Sequence, residues 1–356
     1  MKAILFRFVS VSMSLMIVAM LGEVALRLFA PSLGNIVNDK GRFCRFEHDL
    51  GWIPRENVTW GKKGDLVHQN QFGLRASDNV QLKKTSSRKR VLVLGDSYVW
   101  GVGASQEELF SNPEVYGTND ELINCGVSGY GTDQEYLFYL HTGQRFDVDQ
   151  VVLAFTLYND VENNLNPKQY GYLKPYFTLN GGQLMLHNDH VRYSRLDSFF
   201  RNLNQESRVW NVAREGFDEF FSKLLRKPTT SLATDVVVSE ADRKGIELTL
   251  AILKRLNEAV EARHAEFYVV FIPYKPRVES HLPGNHPFAP IIAAGLTRMG
   301  VHYREPYPEF LKSAIDGVDP FNVDNNHFNA AGHALFAKFV TDTDLARAAT
   351  DYYTHE

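Results

Sequence analysis

Short runs of apolar residues, separated by turn residues and helical patterns, organise the chain from about residue 90 onward. Five such runs lie at 91–94, 122–124, 151–155, 267–272 and 301–303. A short, continuous apolar run is typical of a strand that is buried on both faces of a parallel sheet. Because helical patterns alternate with these runs, the sequence predicts an α/β fold in which helices cover both faces of a parallel sheet of about five strands.

The helical patterns follow the spacing of one buried face. They lie at 134–141, 246–260 and 329–340. Ser239 and Asp242, just ahead of the longest one, have the spacing of a capping box, in which two polar side chains satisfy the first N–H groups of a helix.

The first 30 residues differ from the rest and predict a membrane segment. Residues 8–22 are uncharged and mostly apolar, which is shorter than the roughly 20 residues that a spanning helix needs. The span becomes long enough if Arg7 snorkels to one interface and Glu23 reaches the other, where Arg27 can pair with it. The leading hypothesis is an uncleaved signal-anchor over 1–30. The alternatives are a cleaved signal peptide, which would release a secreted protein, and a buried helix of the domain.

The position of basic residues sets the expected orientation. Lys2 and Arg7 precede the apolar segment, which places its start in the cytoplasm and the rest of the chain outside it, anchored in an inner membrane on the periplasmic side.

The remaining chain divides into a lead-in, a catalytic domain and an insertion. Residues 31–88 lack long periodic runs and predict short strands and turns, and 89–349 hold the catalytic domain. An insertion at about 162–238, rich in Asn, Tyr and Phe, follows the third core strand and is expected near the mouth of the active site. It predicts a hairpin with a glycine turn at 176–186 and a helical piece at 196–221.

Composition and charge exclude some classes of function. The chain has 356 residues, 44% hydrophobic and 22% charged, and its net charge of −4 gives no support for nucleic-acid binding. Cys44 and Cys125 lack the spacing of a metal site, and we expect neither a metal nor an organic cofactor. Cys125 is predicted to be a packed thiol, with a bridge to Cys44 as the alternative. The basic run at 83–90 predicts a solvated loop.

Ser97 is the candidate nucleophile. It follows the first apolar run directly after Gly95 and Asp96, and ligands of open parallel sheets bind at the carboxyl ends of the strands. If a helix begins there, the Ser97 N–H is one of the donors left without a partner inside the helix, and negative charge is favoured beside it. The alternative is that Ser97 is merely the N-cap.

His327 is the candidate base, because a serine hydroxyl needs a group that takes its proton. Asp324 stands three residues earlier, so a turn can bring its carboxylate onto the imidazole, where it would fix the tautomer and stabilise the imidazolium. The alternative for this pair is an ordinary loop hydrogen bond. His333, within the next helical pattern, is predicted to be structural.

Two further strand ends offer donors for an oxyanion. Asn159 follows the third apolar run, and Gly129 lies in a turn after the second, where no side chain obstructs its N–H. With the Ser97 N–H they form a candidate oxyanion hole. Each alone could equally be turn chemistry. The catalytic interpretation rests on four separate segments that each present a needed group.

These segments resemble the SGNH (GDSL-type) serine hydrolases over about residues 88–345. The resemblance implies a flavodoxin-like three-layer α/β/α fold and assigns one residue or pair to each of four blocks: the nucleophile Ser97, the glycine Gly129, the asparagine Asn159, and the pair Asp324 and His327.

The chain departs from the family pattern at two positions. Leu157 stands where the third block usually has glycine, and Tyr98 stands where leucine is common. The order of a membrane segment, the stretches at 50–54 and 70–75, and the catalytic blocks is similar to that of bacterial envelope members of the family.

The predicted function is a serine esterase that hydrolyses carboxylic ester bonds through an acyl-enzyme. Its substrate would be a small-molecule or glycan ester, such as an acyl ester or an O-acetylated carbohydrate or lipid. An O-acyltransferase acting on envelope polysaccharide is the first alternative, because a sugar hydroxyl could resolve the same acyl-enzyme. A non-catalytic carbohydrate-binding module on the same fold is the second. Ester and thioester stay equally open because one oxyanion site serves both.

Overall fold

The computed structural model describes residues 2–30, 39–61, 66–116, 120–196, 207–210, 212–213, 238–323 and 325–341. Two compact units divide the chain. Unit 1 comprises Met1–Arg42 and Tyr193–Ala233, and unit 2 comprises Phe43–Arg192 and Thr234–Glu356. Unit 2 contains the lead-in hairpins and the parallel sheet, and the predicted domain boundaries stay a prediction.

The described elements follow one another in the order that the apolar pattern suggests. The strands are β1 Cys44–Glu47, β2 Gly51–Pro54, β3 Val58–Trp60, β4 Val67–Gln69, β5 Arg90–Gly95, β6 Glu121–Gly126, β7 Gln150–Phe155, β8 Lys168–Gln169, β9 Tyr172–Leu173, β10 Tyr176–Asn180, β11 Gln183–His187, β12 Glu266–Phe271 and β13 His302–Arg304. The helices are α1 Lys2–Phe29, α2 Asp39–Phe43, α3 Ser97–Trp100, α4 Pro113–Tyr116, α5 Thr132–His141, α6 Asp160–Asn164, α7 Glu240–Glu261, α8 Lys275–Glu279, α9 Ala289–Arg298, α10 Tyr307–Ile315 and α11 Ala330–Thr341.

The core of unit 2 is a parallel sheet with the strand order β13, β12, β7, β5, β6. Every residue of β5 and β7 is buried, as expected for central strands that are covered on both faces. Alternate residues of β5 point into two different hydrophobic clusters, Leu92 and Leu94 into one, Val91 and Val93 into the other. Helices α5, α7 and α9 pack in the first cluster, and α3, α10 and α11 in the second. The predicted three-layer fold with five parallel strands is therefore confirmed.

The predicted elements of this core lie where the sequence pattern placed them. The fifth strand is an edge strand shifted by one residue, at His302–Arg304. The capping box at the start of α7 is present, because the Asp242 N–H donates to Ser239 Oγ at 3.1 Å and the Ser239 N–H donates to Asp242 Oδ2 at 2.8 Å.

The basic run is a loop over 83–89, where Lys83 and Arg88 are exposed as predicted, but the prediction is wrong for its last residue, Arg90, which begins β5. Arg90 is fully buried and donates to the carbonyl oxygens of Leu82 and Asp147 at 3.2 and 2.8 Å, and it pairs with Glu121 at 2.9 Å. Lys84 pairs with a carboxylate of a neighbouring loop. A buried guanidinium is tolerated here because several acceptors surround it.

The insertion contains the predicted hairpin. Strand β10 pairs with β11 in antiparallel register, and Gly181 and Gly182 at their junction have φ angles of 58° and 80°, which favour glycine. Of the helical piece predicted at 196–221, residues 208–210 and 212–213 are helical, and most of the rest lies outside the described residues.

The two thiols agree with expectation, and the first helix is long and apolar, as the sequence pattern indicates. Among the described residues, Cys44 and Cys125 are buried and form no disulfide, so the bridge is excluded. The segment Phe6–Phe29 of α1 is long and apolar enough to cross a membrane, and its apolar side chains are exposed. Arg27 pairs with Glu23 at 2.8 Å, as the sequence suggested.

Candidate active site

Ser97 stands at the carboxyl end of the central strand β5. Gly95 lets the chain turn tightly into α3, because an added Cβ there would lie 2.3 Å from Val99 Cγ2. Asp96 is the N-cap of α3, and its Oδ1 accepts the Tyr98 N–H at 2.9 Å. The alternative that Ser97 is merely the N-cap is therefore wrong. Since Asp96 performs that role, the Ser97 hydroxyl is left for other contacts.

The Ser97 hydroxyl contacts the imidazole of His327. Ser97 Oγ lies 2.7 Å from His327 Nε2, although 230 positions separate the two residues in the chain. On the other side of the ring, Nδ1 lies 3.0 Å from Asn325 Oδ1, which also accepts the His327 N–H at 2.8 Å. A proton on Nδ1 leaves Nε2 as an acceptor for the serine hydroxyl. Asp324, predicted to orient the ring, lies outside the described residues, and its role stays a prediction.

Tyr98 supports the His327 loop from the α3 side. Its hydroxyl donates to the Asn326 carbonyl oxygen at 2.6 Å, and its ring centroid lies 5.0 Å from that of His327. The Tyr98 hydroxyl also lies 3.2 Å from the Tyr158 hydroxyl. Burial raises the pKa of the Tyr98 hydroxyl, so it stays a donor. Tyr98 therefore connects the helix that carries Ser97 to the loop that carries His327.

Lys275 holds the same loop from the other side. It begins α8 after β12, is nearly buried, and donates from Nζ to the carbonyl oxygens of Asn322 and Asn325 at 2.6 and 2.9 Å. Its ammonium group also lies 3.4 Å from Glu279. Lys275 was not among the residues that the sequence motifs predicted for the site. The available signal was its place after the fourth core strand, at the sheet edge that carries the other site residues.

Asn159 follows the neighbouring strand β7. Its side-chain Nδ2 donates to Asp96 Oδ2 at 3.1 Å, so the N-cap of α3 also orients the amide. The second N–H of the same Nδ2 is left for a ligand. The motif around Ser97 contains Asp96 but did not predict that its carboxylate would position Asn159. The Asp96 carboxylate joins the segment after β5 to the segment after β7, and such a contact between distant residues is not visible in the sequence.

Two further carboxyls lie buried behind this region. Asp160 and Glu135 are almost inaccessible, and burial raises the pKa of each carboxyl well above its usual range, helped by the negative charge of Asp96. One oxygen of Asp160 accepts the Thr156 N–H at 2.8 Å.

Gly129 lies beyond the end of β6 on the other side of Ser97. Its φ of 79° is left-handed and favours glycine. The Val127 N–H donates to the Gly95 carbonyl at 2.9 Å, which joins this turn to the end of β5. Trp52 of the lead-in secures the turn, because its indole N–H donates to the Ser128 carbonyl at 3.3 Å.

The strand order brings the predicted oxyanion donors to both sides of the nucleophile. Strand β5 lies between β7 and β6, so Ser97 follows the middle strand while Asn159 and Gly129 follow its two neighbours. The described site residues thus share one edge of the sheet. This arrangement can activate a serine hydroxyl and accept charge from a carbonyl oxygen beside it.

The lead-in motif at residues 70–75 supports the helix that carries Ser97. Arg75 is fully buried and donates to the carbonyl oxygens of Trp100 and Ala104 at 3.0 and 2.5 Å, and to that of Gly101. A cation is favourable at the C-terminal end of a helix, where carbonyl oxygens lack partners. The stretch at 70–75 is recognisable in the sequence, but the sequence did not predict that Arg75 would bind the carbonyl oxygens at the end of α3.

His333 does not serve as an alternative base. It is buried in α11, and burial together with the nearby Arg75 guanidinium lowers its pKa to about 3. Its structural role was predicted. Within the part of the chain that the structure describes, no cluster of His, Cys, Asp and Glu has the arrangement of a metal site.

The comparisons with known proteins give similar structures without a family match. No protein-family model matches the chain. No curated protein matches it either. Similar solved structures include a GDSL-like lipase from Bacteroides thetaiotaomicron, with 10% identity over 73% of this chain and 89% of that chain at a TM-score of 0.36. They also include the psychrotrophic esterase EstA from a Pseudoalteromonas species, with 12% identity, coverage of 75% and 100%, and a TM-score of 0.36.

A third similar structure is a mutant of an acetyl-xylooligosaccharide esterase from Geobacillus, with 11% identity, coverage of 73% and 94%, and a TM-score of 0.37. These names belong to the kinds of hydrolase that the sequence motifs resemble.

Proposed function

We propose that this chain is a serine esterase of the SGNH (GDSL) type, which hydrolyses carboxylic esters through an acyl-enzyme on Ser97. The observation that carries the proposal is the 2.7 Å contact between Ser97 Oγ and His327 Nε2 at the carboxyl edge of the sheet. A buried N-cap beside it, Asp96, supports the proposal further because it holds the amide of Asn159.

The reaction follows from the roles of these groups. His327 Nε2 takes the hydroxyl proton while Ser97 Oγ attacks the ester carbonyl carbon. The Ser97 and Gly129 backbone N–H groups and the Asn159 side chain hold the resulting oxyanion. Collapse of the tetrahedral intermediate expels the alcohol, to which the imidazolium returns the proton. Water, deprotonated by His327, then attacks the acyl-enzyme, and the second tetrahedral intermediate collapses to the carboxylic acid while the imidazolium returns the proton to Ser97 Oγ. Asp324 would stabilise the imidazolium.

We further propose that α1 stays attached and anchors the enzyme in a membrane, with unit 2 on the periplasmic side. The helix is apolar over Phe6–Phe29, and two basic residues stand at its start. The substrate would be an acyl ester or an O-acetylated carbohydrate or lipid on that side.

A panel of esters tests the proposed reaction. Full-length protein in detergent is given p-nitrophenyl esters of increasing chain length and acetylated oligosaccharides, with and without an unacetylated glycan as acceptor. Hydrolysis predicts free acid in both conditions. Acyl groups recovered mainly on the added glycan would instead support the acyltransferase. A protein that turns over no ester in the panel would contradict both enzymes and favour a binding module.

A further inference from the structure

The charged residues Arg7 and Glu23 of α1 mark the two ends of the segment that would lie in the hydrocarbon core of a membrane. Arg7 and Glu23 are 16 positions apart, which corresponds to about 24 Å along a helix that rises 1.5 Å per residue. The hydrocarbon core of a bilayer is about 30 Å thick. If Arg7 reaches one headgroup region, Glu23 lies close to the opposite edge of the hydrocarbon. A carboxylate there is costly unless donors surround it.

Donors do surround the Glu23 carboxylate, and most come from a distant part of the chain. Its Oε1 accepts Arg27 Nε at 2.8 Å. Its Oε2 accepts the Ser207 hydroxyl and the Val209 backbone N–H, each at 3.1 Å. The last two donors stand 184 and 186 positions later in the chain, within the same compact unit. Residues 207–210 are therefore held at the depth of Glu23.

The contact extends over one turn of α1. An added Cβ on Gly22 would lie 3.1 Å from Val209 Cγ2, so a small residue at position 22 permits the close approach. Arg208 Nη1 donates to the Leu26 carbonyl oxygen at 3.3 Å. The apolar contact at Gly22 and the hydrogen bond at Leu26, one turn apart, fix both the position and the orientation of residues 207–210 against the helix.

The exposed side chains at this level suit a membrane–water interface. Trp210 is 36% exposed, and Phe29, at the end of α1, is 85% exposed. Tryptophan is enriched at headgroup level, where its ring contacts acyl chains and its indole N–H reaches water. Arg208 adds a cation of the kind that anionic headgroups attract.

We propose that residues 207–210, here called the docking segment, form a membrane-interface element that packs on the exit turn of α1 and inserts Trp210 among phospholipid headgroups. The proposal rests on α1 being retained in the membrane and is independent of the esterase chemistry. A cleaved leader would remove Glu23 and with it the acceptor for two of the segment's hydrogen bonds.

The depth of Trp210 tests the proposal directly. A nitroxide is attached to Trp210→Cys in full-length protein in nanodiscs of phosphatidylethanolamine and phosphatidylglycerol, and its accessibility to oxygen and to a water-soluble nickel chelate is measured. Cys44 and Cys125 are buried and should not be labelled. Leu15→Cys, in the middle of α1, is the lipid reference, and Val318→Cys, exposed on unit 2, is the water reference.

We expect oxygen to dominate at Leu15→Cys, the nickel chelate to dominate at Val318→Cys, and Trp210→Cys to lie between them. A Trp210→Cys label that behaves like the water reference while Leu15→Cys is in lipid would overturn the docking proposal alone. A Leu15→Cys label in water would overturn the membrane anchor and the docking proposal together. Ester turnover by the same samples reports separately on the proposed function.

A substitution of Glu23 tests whether its carboxylate holds the docking segment at the membrane interface. In the Trp210→Cys background, Glu23→Leu should move the label towards water, because the two hydrogen bonds to the docking segment are lost. Arg7→Leu, at the opposite end of α1, is the matched control and should leave the label where it is. Equal effects of the two substitutions would contradict the role of Glu23.

An engineered disulfide tests the contact between Gly22 and Val209 without a measurement of membrane depth. Gly22→Cys combined with Val209→Cys should form a linked peptide, identified by mass spectrometry after oxidation in membranes. Leu21→Cys combined with Val209→Cys is the control, because residue 21 is rotated by about 100° around the helix. We expect at least a tenfold higher yield for the first pair, and equal yields would contradict the packing.

Discussion

The two halves of the candidate site are held by different means. Ser97 follows a fully buried central strand, and its helix is fixed at the start by Asp96 and at the end by Arg75. His327 lies in an irregular stretch between α10 and α11, where Tyr98 and Lys275 hold backbone carbonyl oxygens from two sides. The nucleophile is thus positioned by the sheet, whereas the base is positioned by a few side chains. Substitutions remote from the chemistry should therefore disturb the base more easily than the nucleophile.

The largest effect is expected from removing either partner of the central contact. His327→Ala should lower ester turnover by a factor on the order of 10³ or more, because Ser97 then lacks a base. Ser97→Ala should cost at least as much, and the double variant little more, since the two groups act as a unit. His333→Ala is the control histidine variant and is judged by the activity of its folded fraction. Near wild-type turnover by His327→Ala would defeat the assignment.

The next largest effect is expected at Asn159, on the nucleophile side. Asn159→Ala removes one oxyanion donor and should lower kcat by about 10²–10³, with a small change in KM, because the contact forms mainly in the transition state. Asn166→Ala, a half-buried asparagine just after α6 that donates to the Glu162 carbonyl oxygen, is the matched control. Steady-state kinetics measure the split. A change confined to KM would argue against the oxyanion role.

Lys275 provides the clearest comparison between the halves. Lys275→Met leaves the carbonyls of Asn322 and Asn325 without their donor, at about 1–3 kcal/mol each, and should lower kcat by roughly 10- to 100-fold through displacement of His327. Lys275→Arg should restore part of the rate. Lys312→Met, an exposed lysine on α10, controls for loss of charge.

Thermal unfolding and the pH profile of kcat/KM separate positioning from mere destabilisation. If Lys275→Met lowers the melting temperature but leaves kcat and the pH profile of the folded fraction unchanged, Lys275 is structural and not a positioning residue.

Arg75→Met tests the opposite expectation on the nucleophile side. It removes the donor to the Trp100, Gly101 and Ala104 carbonyls and should lower the free energy of unfolding by about 3 kcal/mol, while folded enzyme keeps kcat within roughly tenfold of wild type. Chemical denaturation and kinetics on the same samples measure both. A larger loss of kcat than in Lys275→Met would reverse the comparison between the two halves.

The smallest effect concerns the buried carboxyl of Glu135. Because burial raises the pKa of Glu135, the folded state keeps a proton that the unfolded chain releases, so this group lowers stability as pH rises above the ordinary glutamate range. Glu135→Gln should therefore raise the melting temperature more at pH 8 than at pH 5. Glu107→Gln, at an exposed position, is the control. An equal shift at both pH values would contradict the raised pKa.

The sequence predicted the sheet and the contact between Ser97 and His327 because both follow from local signals. Apolar runs such as the one at 91–94 mark buried strands, and parallel strands bring their carboxyl ends to one edge. The buried basic side chains that hold the backbone around the site were not predictable in the same way. Lys275 and Arg75 act on backbone carbonyls of distant residues, which no periodic pattern encodes, and the burial of Arg90 depends on acceptors from two loops and from the start of β6.

Reaction of the full-length protein with a fluorophosphonate probe tests the central claim most directly. Such probes react with a serine whose hydroxyl is activated by a base. The account predicts one adduct by intact mass, mapped to the peptide that contains Ser97, lost in Ser97→Ala and slowed by a factor on the order of 10³ in His327→Ala. A wild-type chain that stays unmodified, or an adduct on another residue that persists in Ser97→Ala, would contradict it.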